Sequence, residues 1–225
     1  MIRLVLFDID GTLVRTGGAG IQSFQRVSET QFGATGGFER FKFAGRTDFG
    51  LVREFFGQRY IPSTPENFER FFLHHVHWLH QILGASHAEE CPGVREFIRD
   101  LQGLPNPPLL GLLTGNIRLG AEIKLRHFHL WDVFQIGAFS DDSENRDEIA
   151  AVARARGSRV LGGKLDDDQV LVIGDTPLDI RCGRAIGAKV LAVATGGATL
   201  AELVQHRPDW AVEDLTRVDA KEVTR

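Results

Sequence analysis

The chain has 225 residues, of which 43% are hydrophobic, so it can bury a core and is too apolar to be disordered. Its net charge is −4 and it has no long basic run, so we do not expect it to bind nucleic acid. No apolar run approaches the roughly 20 residues of a membrane span, so we do not expect it to insert into a membrane. Its two cysteines are far apart and lack CxxC spacing, which favours a folded protein of the reducing cytoplasm. The sequence does not indicate an oligomeric state.

The first predicted element is a short buried strand from Ile2 to Phe7, which leads directly into Asp8, Asp10 and Gly11. Open α/β sheets bind ligands at the carboxyl ends of their strands, so these two carboxylates are candidate site residues. An Asx turn closed by a glycine would explain the same residues equally well. Taken alone, the motif is therefore only suggestive.

Residues 16–90 break the alternation of strands and helices, because their apolar residues follow helical spacing and no convincing buried strand occurs. We interpret this segment as an α-helical cap domain inserted after the first strand. Residues 1–15 and 91–225 then form the core domain. Four histidines in the cap look more like the polar side of a helix than a metal cluster: His74, His75, His77 and His80.

After residue 90, predicted strands and helices alternate, which indicates a doubly wound, Rossmann-like α/β fold with a parallel sheet. The further strands are predicted at Leu109 to Leu113, Val133 to Phe139, Val170 to Ile173 and Val190 to Val193. The helices are predicted at Pro92 to Leu101, Leu119 to Phe128, Arg146 to Ala155 and Leu178 to Ile186.

Two of these strands end in polar residues that would meet Asp8 at one sheet edge. Thr114, Gly115 and Asn116 follow one strand and could cradle phosphoryl oxygens, although a helix N-cap is an alternative. Asp175 and a second aspartate four residues later follow the other. Clustered carboxylates repel one another unless a cation joins them, and hard oxygen ligands suit Mg²⁺. The combination predicts a Mg²⁺ site.

In order and approximate spacing, DxDGT, the strand-end threonine and GDxxxD resemble the motifs of the haloacid dehalogenase-like hydrolases, over nearly the whole chain. The helical insertion resembles the cap of phosphoglycolate phosphatases and β-phosphoglucomutases. The resemblance implies hydrolysis of a small phosphorylated metabolite through a phosphoaspartate, with Asp8 as nucleophile and Asp10 as general acid and base. It also implies that Mg²⁺ is held by Asp8, the main chain of Asp10, Asp175 and, directly or through water, Asp179.

The basic residue departs from the family pattern. Most relatives have a lysine at the start of the helix before the last acidic strand, where this sequence has Arg146. We take Arg146 as its substitute and Lys164, in a glycine-rich loop, as the competitor. The cap segment around Arg46 resembles a loop that senses the remote group of the substrate in relatives. Arg46 is therefore a candidate anion reader, or else a surface arginine beside an N-cap formed by Thr47.

Several alternatives remain open. Asp10 disfavours a dehalogenase or a phosphonate hydrolase, because the family members with those activities lack this second aspartate. A β-phosphoglucomutase-like phosphomutase keeps both aspartates. A signalling receiver domain would be smaller and would lack the helical insertion. The missing lysine also leaves room for a catalytically inactive binding protein.

Overall fold

The computed structural model describes residues 1–38 and 40–225. Short strands and longer helices alternate through most of the chain. The strands are β1 (Leu4–Phe7), β2 (Val14–Arg15), β3 (Glu89–Glu90), β4 (Leu109–Leu113), β5 (Ile136–Ala138), β6 (Val170–Gly174), β7 (Lys189–Val193) and β8 (Trp210–Val212). The α-helices are α1 (Ala19–Phe32), α2 (Asp48–Gln58), α3 (Pro65–Ala85), α4 (Val94–Gln102), α5 (Arg118–His127), α6 (Arg146–Val160), α7 (Pro177–Ala185), α8 (Leu200–Gln205) and α9 (Ala220–Val223).

The core is a six-stranded sheet in the order β5-β4-β1-β6-β7-β8, and its neighbouring strands are parallel. Side chains alternate along the central strand β1: Leu4 and Leu6 join an apolar cluster with α6 and α7, whereas Val5 and Phe7 join a cluster with α4, α5 and α9. Helices therefore cover both faces, which confirms the predicted doubly wound α/β class. The strand order reverses beside β1, where such sheets bind ligands.

Helices α1, α2 and α3 are inserted after the first strand, between β2 and β3, which pair as an antiparallel ribbon. The chain thus leaves the core beside the point where it returns. Eleven of the 16 phenylalanines lie between residues 24 and 72, and many of them form an apolar cluster separate from the sheet. The helical cap within the predicted fold class is confirmed, while the domain boundaries 16–90 remain a prediction.

Some local predictions are wrong. Pro92 lies outside α4, because Gly93 with φ of 82° is its N-cap. A short 3₁₀ helix, Trp131–Val133, occupies the start of the predicted third strand of the core, and β5 begins only afterwards. Strand β8 was not predicted, since its three half-buried residues give no continuous buried pattern. Among the described helices, none combines the length and apolar character of a membrane span.

Candidate active site

The carboxyl ends of three adjacent strands bring the predicted polar residues together. Strand β1 pairs with both β4 and β6, so Asp8, Thr114 and Asp175, which follow these strands, lie at one edge of the sheet. All three are buried, with at most 5% of the residue exposed. Together with residues of the helical segment, they line a cavity of about 480 Å³.

Arg146 lies beside Asp8, as the sequence analysis expects of the basic residue. Its Nη2 atom is 3.0 Å from Asp8 Oδ1 and also donates to Asp179 Oδ1. Asn145 caps the helix that begins at Arg146, accepting a hydrogen bond of 2.9 Å from the main-chain N–H of the second helical residue. The Arg146 side chain is only 4% exposed, and so buried a charge is tolerated only with close acidic partners. Lys164, in contrast, is exposed in a loop after α6.

The metal-site prediction rests on three buried carboxylates. Asp8, Asp175 and Asp179 each place an oxygen within 4.8 Å of the other two. Burial raises the pKa of Asp8 to about 6, although Arg146 opposes this shift. Burial and the negative charges of Asp179 and Asp8 raise the pKa of Asp175 well above its ordinary value. The cluster is therefore short of positive charge, which a bound divalent cation would supply.

The loops after β6 and β7 fix these carboxylates. Thr176 donates to Asp179 Oδ2 through its main-chain N–H at 3.0 Å and its hydroxyl at 2.6 Å, forming the capping box of α7. Asp175 Oδ2 accepts from the N–H of Gly197 at 3.1 Å. A Cβ on Gly196 would lie 1.7 Å from the same oxygen, so only glycine fits there. The sequence analysis missed this glycine pair.

Asp10 is held by a residue that the sequence analysis also missed, Lys124. Asp10 Oδ2 accepts from Asn116 Nδ2 at 2.8 Å and from Lys124 Nζ at 2.6 Å, and neither contact uses Oδ1. Lys124 Nζ also donates to Asn116 Oδ1 at 2.6 Å, while Asn116 Nδ2 donates to Thr114 Oγ1 at 2.8 Å. Lys124 is buried in α5 beside Ala121, so a lysine in the apolar stripe of a helix was the available signal.

The cap segment approaches the strand ends closely at Gly115. The main-chain N–H of Asp48 donates to Gly115 O at 2.7 Å, and the N–H of Ile117 donates to Asp48 Oδ2 at 2.8 Å. A Cβ on Gly115 would lie 2.1 Å from the main-chain oxygen of Arg46, which excludes any side chain there. Burial raises the pKa of Asp48 to about 7, although the charge of Lys124 lowers it.

Two cap residues lie in unexpected environments. Arg46 forms a 2.7 Å ion pair with Glu54 through Nη2, so its charge is already balanced by a carboxylate. Its role as anion reader stays a prediction.

His75 is buried, with Nδ1 2.8 Å from Ser23 Oγ and its ring stacked on Phe24, so assigning it to the polar side of its helix was wrong. Burial lowers the pKa of His75 to about 3, which keeps it uncharged at neutral pH.

The chain resembles known proteins in both sequence and structure. The sequence model of the family described as haloacid dehalogenase-like hydrolase matches residues 5–193. Pyrophosphatase PpaX of Halalkalibacterium halodurans is 28% identical over 218 residues, covering 95% of this chain and 94% of that protein. A predicted phosphatase from Clostridium acetobutylicum has a TM-score of 0.74 at 16% identity, covering 99% of both chains. A predicted phosphoglycolate phosphatase from Haemophilus somnus 129PT has a TM-score of 0.72 at 20% identity, covering 100% of this chain and 98% of that one.

Proposed function

The chain belongs to the haloacid dehalogenase-like hydrolases, and from this premise and the geometry of the site we propose that it is a Mg²⁺-dependent phosphatase of small phosphate monoesters. Asp8 is the nucleophile, Asp10 the general acid and base, and Arg146 the fixed cation that contacts the transferring phosphoryl group. One observation carries the proposal. The buried carboxylate of Asp8 lies 3.0 Å from Arg146 Nη2, where the ends of three strands meet.

Arg146 reduces the charge repulsion that would otherwise oppose nucleophilic attack by Asp8. A carboxylate and a phosphate ester are both negative, so they approach each other only where positive charge is already in place. An arginine remains protonated even when buried, and its planar fork can bind two oxygens at once. Its contact with Asp8 therefore orients the nucleophile and leaves a cation next to the position that the phosphoryl group would take.

The donor set at this edge fits Mg²⁺, because it consists of hard carboxylate oxygens that lie close together. Asp8, Asp175 and the main-chain oxygen of Asp10 would hold the ion. Both oxygens of Asp179 already accept hydrogen bonds, one from Arg146 and one from Thr176, which favours a ligand role through water. When bound, the ion would offset negative charge on the phosphoryl group and on the carboxylates.

Asp10 takes part in both halves of the reaction. As Asp8 forms its bond to phosphorus, the bond between phosphorus and the ester oxygen breaks, and Asp10 gives its proton to that oxygen. Asp10 then removes a proton from the water that attacks the phosphoaspartate, which releases phosphate and regenerates Asp8. Lys124 and Asn116 are positioning residues, because both hold Asp10 Oδ2 and leave Oδ1 out of their contacts.

Thr114 and Gly115 are proposed to bind the phosphoryl oxygens. Thr114 Oγ1 accepts hydrogen bonds from the main-chain N–H and the side-chain amide of Asn116, so its own hydroxyl proton is available to a phosphoryl oxygen. The same contacts change the expected role of Asn116. Its amide holds Asp10 and Thr114, so its contribution to substrate binding would be through these two residues.

Pyrophosphate is the second candidate substrate, favoured by the name of the relatives from Halalkalibacterium halodurans and Bacillus pumilus. A phosphomutase reaction remains a prediction that product analysis would distinguish, since a mutase returns an isomeric phosphate ester rather than free phosphate. A small phosphorylated metabolite as partner and a cytoplasmic location likewise stay predictions.

The test measures phosphate release from a panel of phosphate monoesters and from pyrophosphate, with and without Mg²⁺. We expect turnover of at least one monoester, reversible loss on chelation, and loss of turnover in Asp8→Asn on the order of 10⁴-fold or more. Asp168→Asn, at an exposed position in the 3₁₀ helix Asp167–Gln169, is the matched control and should retain activity. Equal activity of Asp8→Asn and wild type, or hydrolysis of pyrophosphate alone, would contradict the proposal.

A further inference from the structure

The cavity is larger than a phosphoryl group requires. Its volume of about 480 Å³ lies in the range of pockets that enclose whole small molecules. Residues of the helical segment also line the cavity. Two of them, Arg46 and Asp48, are ionisable and belong to the stretch that contacts Gly115 at a strand end. The bulkier side chains among the remaining residues of this segment are apolar or uncharged. We call this set the cap wall, and its members are Ile21, Phe24, Phe43, Leu51 and His75.

The cap wall has no charge at neutral pH. Its one titratable member, His75, has a pKa lowered to about 3 by burial, and Nδ1 of its ring is hydrogen-bonded to Ser23 Oγ at 2.8 Å. Phe24 packs against that ring on one side and against Phe43 on another, with ring centroids 4.7 and 5.6 Å apart, respectively. A leaving group beyond the phosphoryl site would therefore meet mainly aromatic and aliphatic carbon.

The basic side chains that line the cavity all have acidic partners among the described residues. Lys124 is bound to Asp10 at 2.6 Å, and Arg146 is bound to Asp8 at 3.0 Å. The two remaining lining cations are bound to acids of the cap segment and the ribbon, at 2.7 and 2.8 Å: Arg46 to Glu54, and Arg15 to Glu89. Each of these cations therefore has its charge balanced by a neighbouring carboxylate, so a second anionic group on a ligand would meet no cation without a negative neighbour.

We infer that the substrate is a phosphate monoester of an uncharged, largely apolar alcohol, and that esters of hydroxy acids and pyrophosphate are poor substrates. This inference rests on the proposed phosphatase function and specifies its substrate class. An aryl or alkyl leaving group would exchange water for the carbon surface of the cap wall. A carboxylate or a second phosphate in the same place would lose its hydration without gaining an unpaired cation, which is unfavourable.

The experiment compares phenyl phosphate with 4-carboxyphenyl phosphate, which differ by one carboxylate on the leaving group. In the wild type with Mg²⁺, we expect kcat/KM to be at least about tenfold higher for phenyl phosphate, and pyrophosphate to be worse than either ester. A preference of tenfold or so for the carboxylated ester or for pyrophosphate would overturn the inference while leaving the phosphatase proposal intact.

Ile21 offers a way to reverse the preference. It lines the cavity from the start of α1 and is 39% exposed, so a lysine there adds a cation without burying it. In Ile21→Lys, the ratio of kcat/KM for the carboxylated ester over phenyl phosphate should rise at least about fivefold relative to Ile21→Gln, the uncharged control of similar length. An equal ratio in the two variants would mean that Ile21 does not face the leaving group, which overturns the assignment of the cap wall.

Binding separates the substrate class from the chemistry. Calorimetry on Asp8→Asn with Mg²⁺ measures the affinity for both esters without turnover. Tighter binding of phenyl phosphate supports the inference even if the wild type hydrolyses no monoester of the panel. Absence of turnover across the panel would refute only the phosphatase proposal. Tighter binding of the carboxylated ester, or binding of neither at millimolar concentration, overturns the inference.

Discussion

The two sides of the cavity differ in how their residues are held. The other side is what we call the core wall, the charged and hydroxyl residues at the strand ends, whose carboxylates are bound to partners from other elements. Asp8 is paired with Arg146 of α6, and Asp10 with Lys124 of α5. The cap wall is held by apolar packing, which has no required direction. Changes in the core wall should therefore reduce catalysis strongly, whereas changes in the cap wall should mainly alter substrate preference.

After loss of the nucleophile in Asp8→Asn, the largest effect in the core wall is expected from Arg146→Ala. If Arg146 neutralises the transferring phosphoryl group as proposed, its loss should lower kcat/KM at least about 100-fold, or roughly 3 kcal/mol. Arg146→Lys should recover part of this, limited by the shorter reach and different geometry of an ammonium group. Steady-state kinetics on the best monoester measures both values. Lys164→Ala, which changes an exposed loop, is the control and should stay near wild type.

Removal of Arg146 also leaves Asp8 and Asp179 buried without their cation, which can destabilise a fold by about 3 to 5 kcal/mol. Thermal unfolding with and without Mg²⁺ therefore accompanies the kinetics. A folded Arg146→Ala variant with nearly full activity would show that another group contacts the phosphoryl. An Arg146→Lys variant as stable as wild type but fully inactive would mean that the planar fork is indispensable.

Lys124→Met tests whether Asp10 depends on its partner for orientation. Methionine has a similar length and fills the buried space, but it cannot donate to Asp10 Oδ2. General acid and base catalysis typically contributes 10²- to 10⁴-fold, so a poorly held Asp10 should lower kcat by about 10- to 100-fold with little change in KM. Lys124→Arg should restore part of kcat. A variant that loses KM and keeps kcat would place Lys124 in substrate binding instead.

Most residues of the core wall could be predicted from the sequence, because they directly follow buried strands whose ends meet at one edge of the sheet. Short apolar runs predict buried parallel strands, and residues after such strands must converge, as Asp8, Thr114 and Asp175 do. The family resemblance that these motifs suggested is confirmed by the match over residues 5–193. Lys124 was missed because it contacts Asp10 from a helix 114 residues away, a long-range contact that no local spacing encodes.

The cap wall was not predictable in the same way. Helical spacing and the many phenylalanines indicate helices that pack together, but not which rings face a neighbouring domain. His75 shows the limit, because it lies among other histidines in sequence, yet the packing of α1 on α3 buries it against Phe24. Arg46 shows it again, since the sequence leaves open an anion reader or a surface arginine and cannot reveal its ion pair with Glu54.

Asp48, where the cap segment contacts the core, should make stability depend on pH. Its pKa is raised from 3.8 to about 7 by burial, so the folded state binds this proton more tightly than the unfolded state. Its contribution to stability is therefore full below about pH 4 and falls as pH rises to about 7. The complete linkage corresponds to about 4 kcal/mol. Because Asp48 lines the cavity, solvent screening lowers this value, and we expect about 1 to 2 kcal/mol.

Asp48→Asn removes this titration and can keep the hydrogen bond from the N–H of Ile117. The variant should therefore be more stable than wild type at pH 8, with a difference that disappears toward pH 4. Denaturant unfolding of both proteins at a series of pH values measures it. A difference that is constant with pH would show that Asp48 titrates alike in the folded and unfolded states.

The smallest effect is expected from Arg46→Ala in the cap segment. Its guanidinium is bound to Glu54 and about one third exposed, at 32%, and exposed ion pairs contribute only about 0 to 1 kcal/mol. Because the leaving group of phenyl phosphate carries no charged substituent for Arg46 to bind, kcat/KM of Arg46→Ala for this ester should differ from wild type by less than about threefold. Glu54→Gln sharpens the test, because it frees the guanidinium and should improve binding of 4-carboxyphenyl phosphate only if Arg46 reaches the cavity. A different result would show that Arg46 reads anions: kcat/KM of Arg46→Ala lower by tenfold or so for 4-carboxyphenyl phosphate, with kcat/KM for phenyl phosphate unchanged. In that case Arg46 would bind the charged group of the substrate despite its ion pair with Glu54.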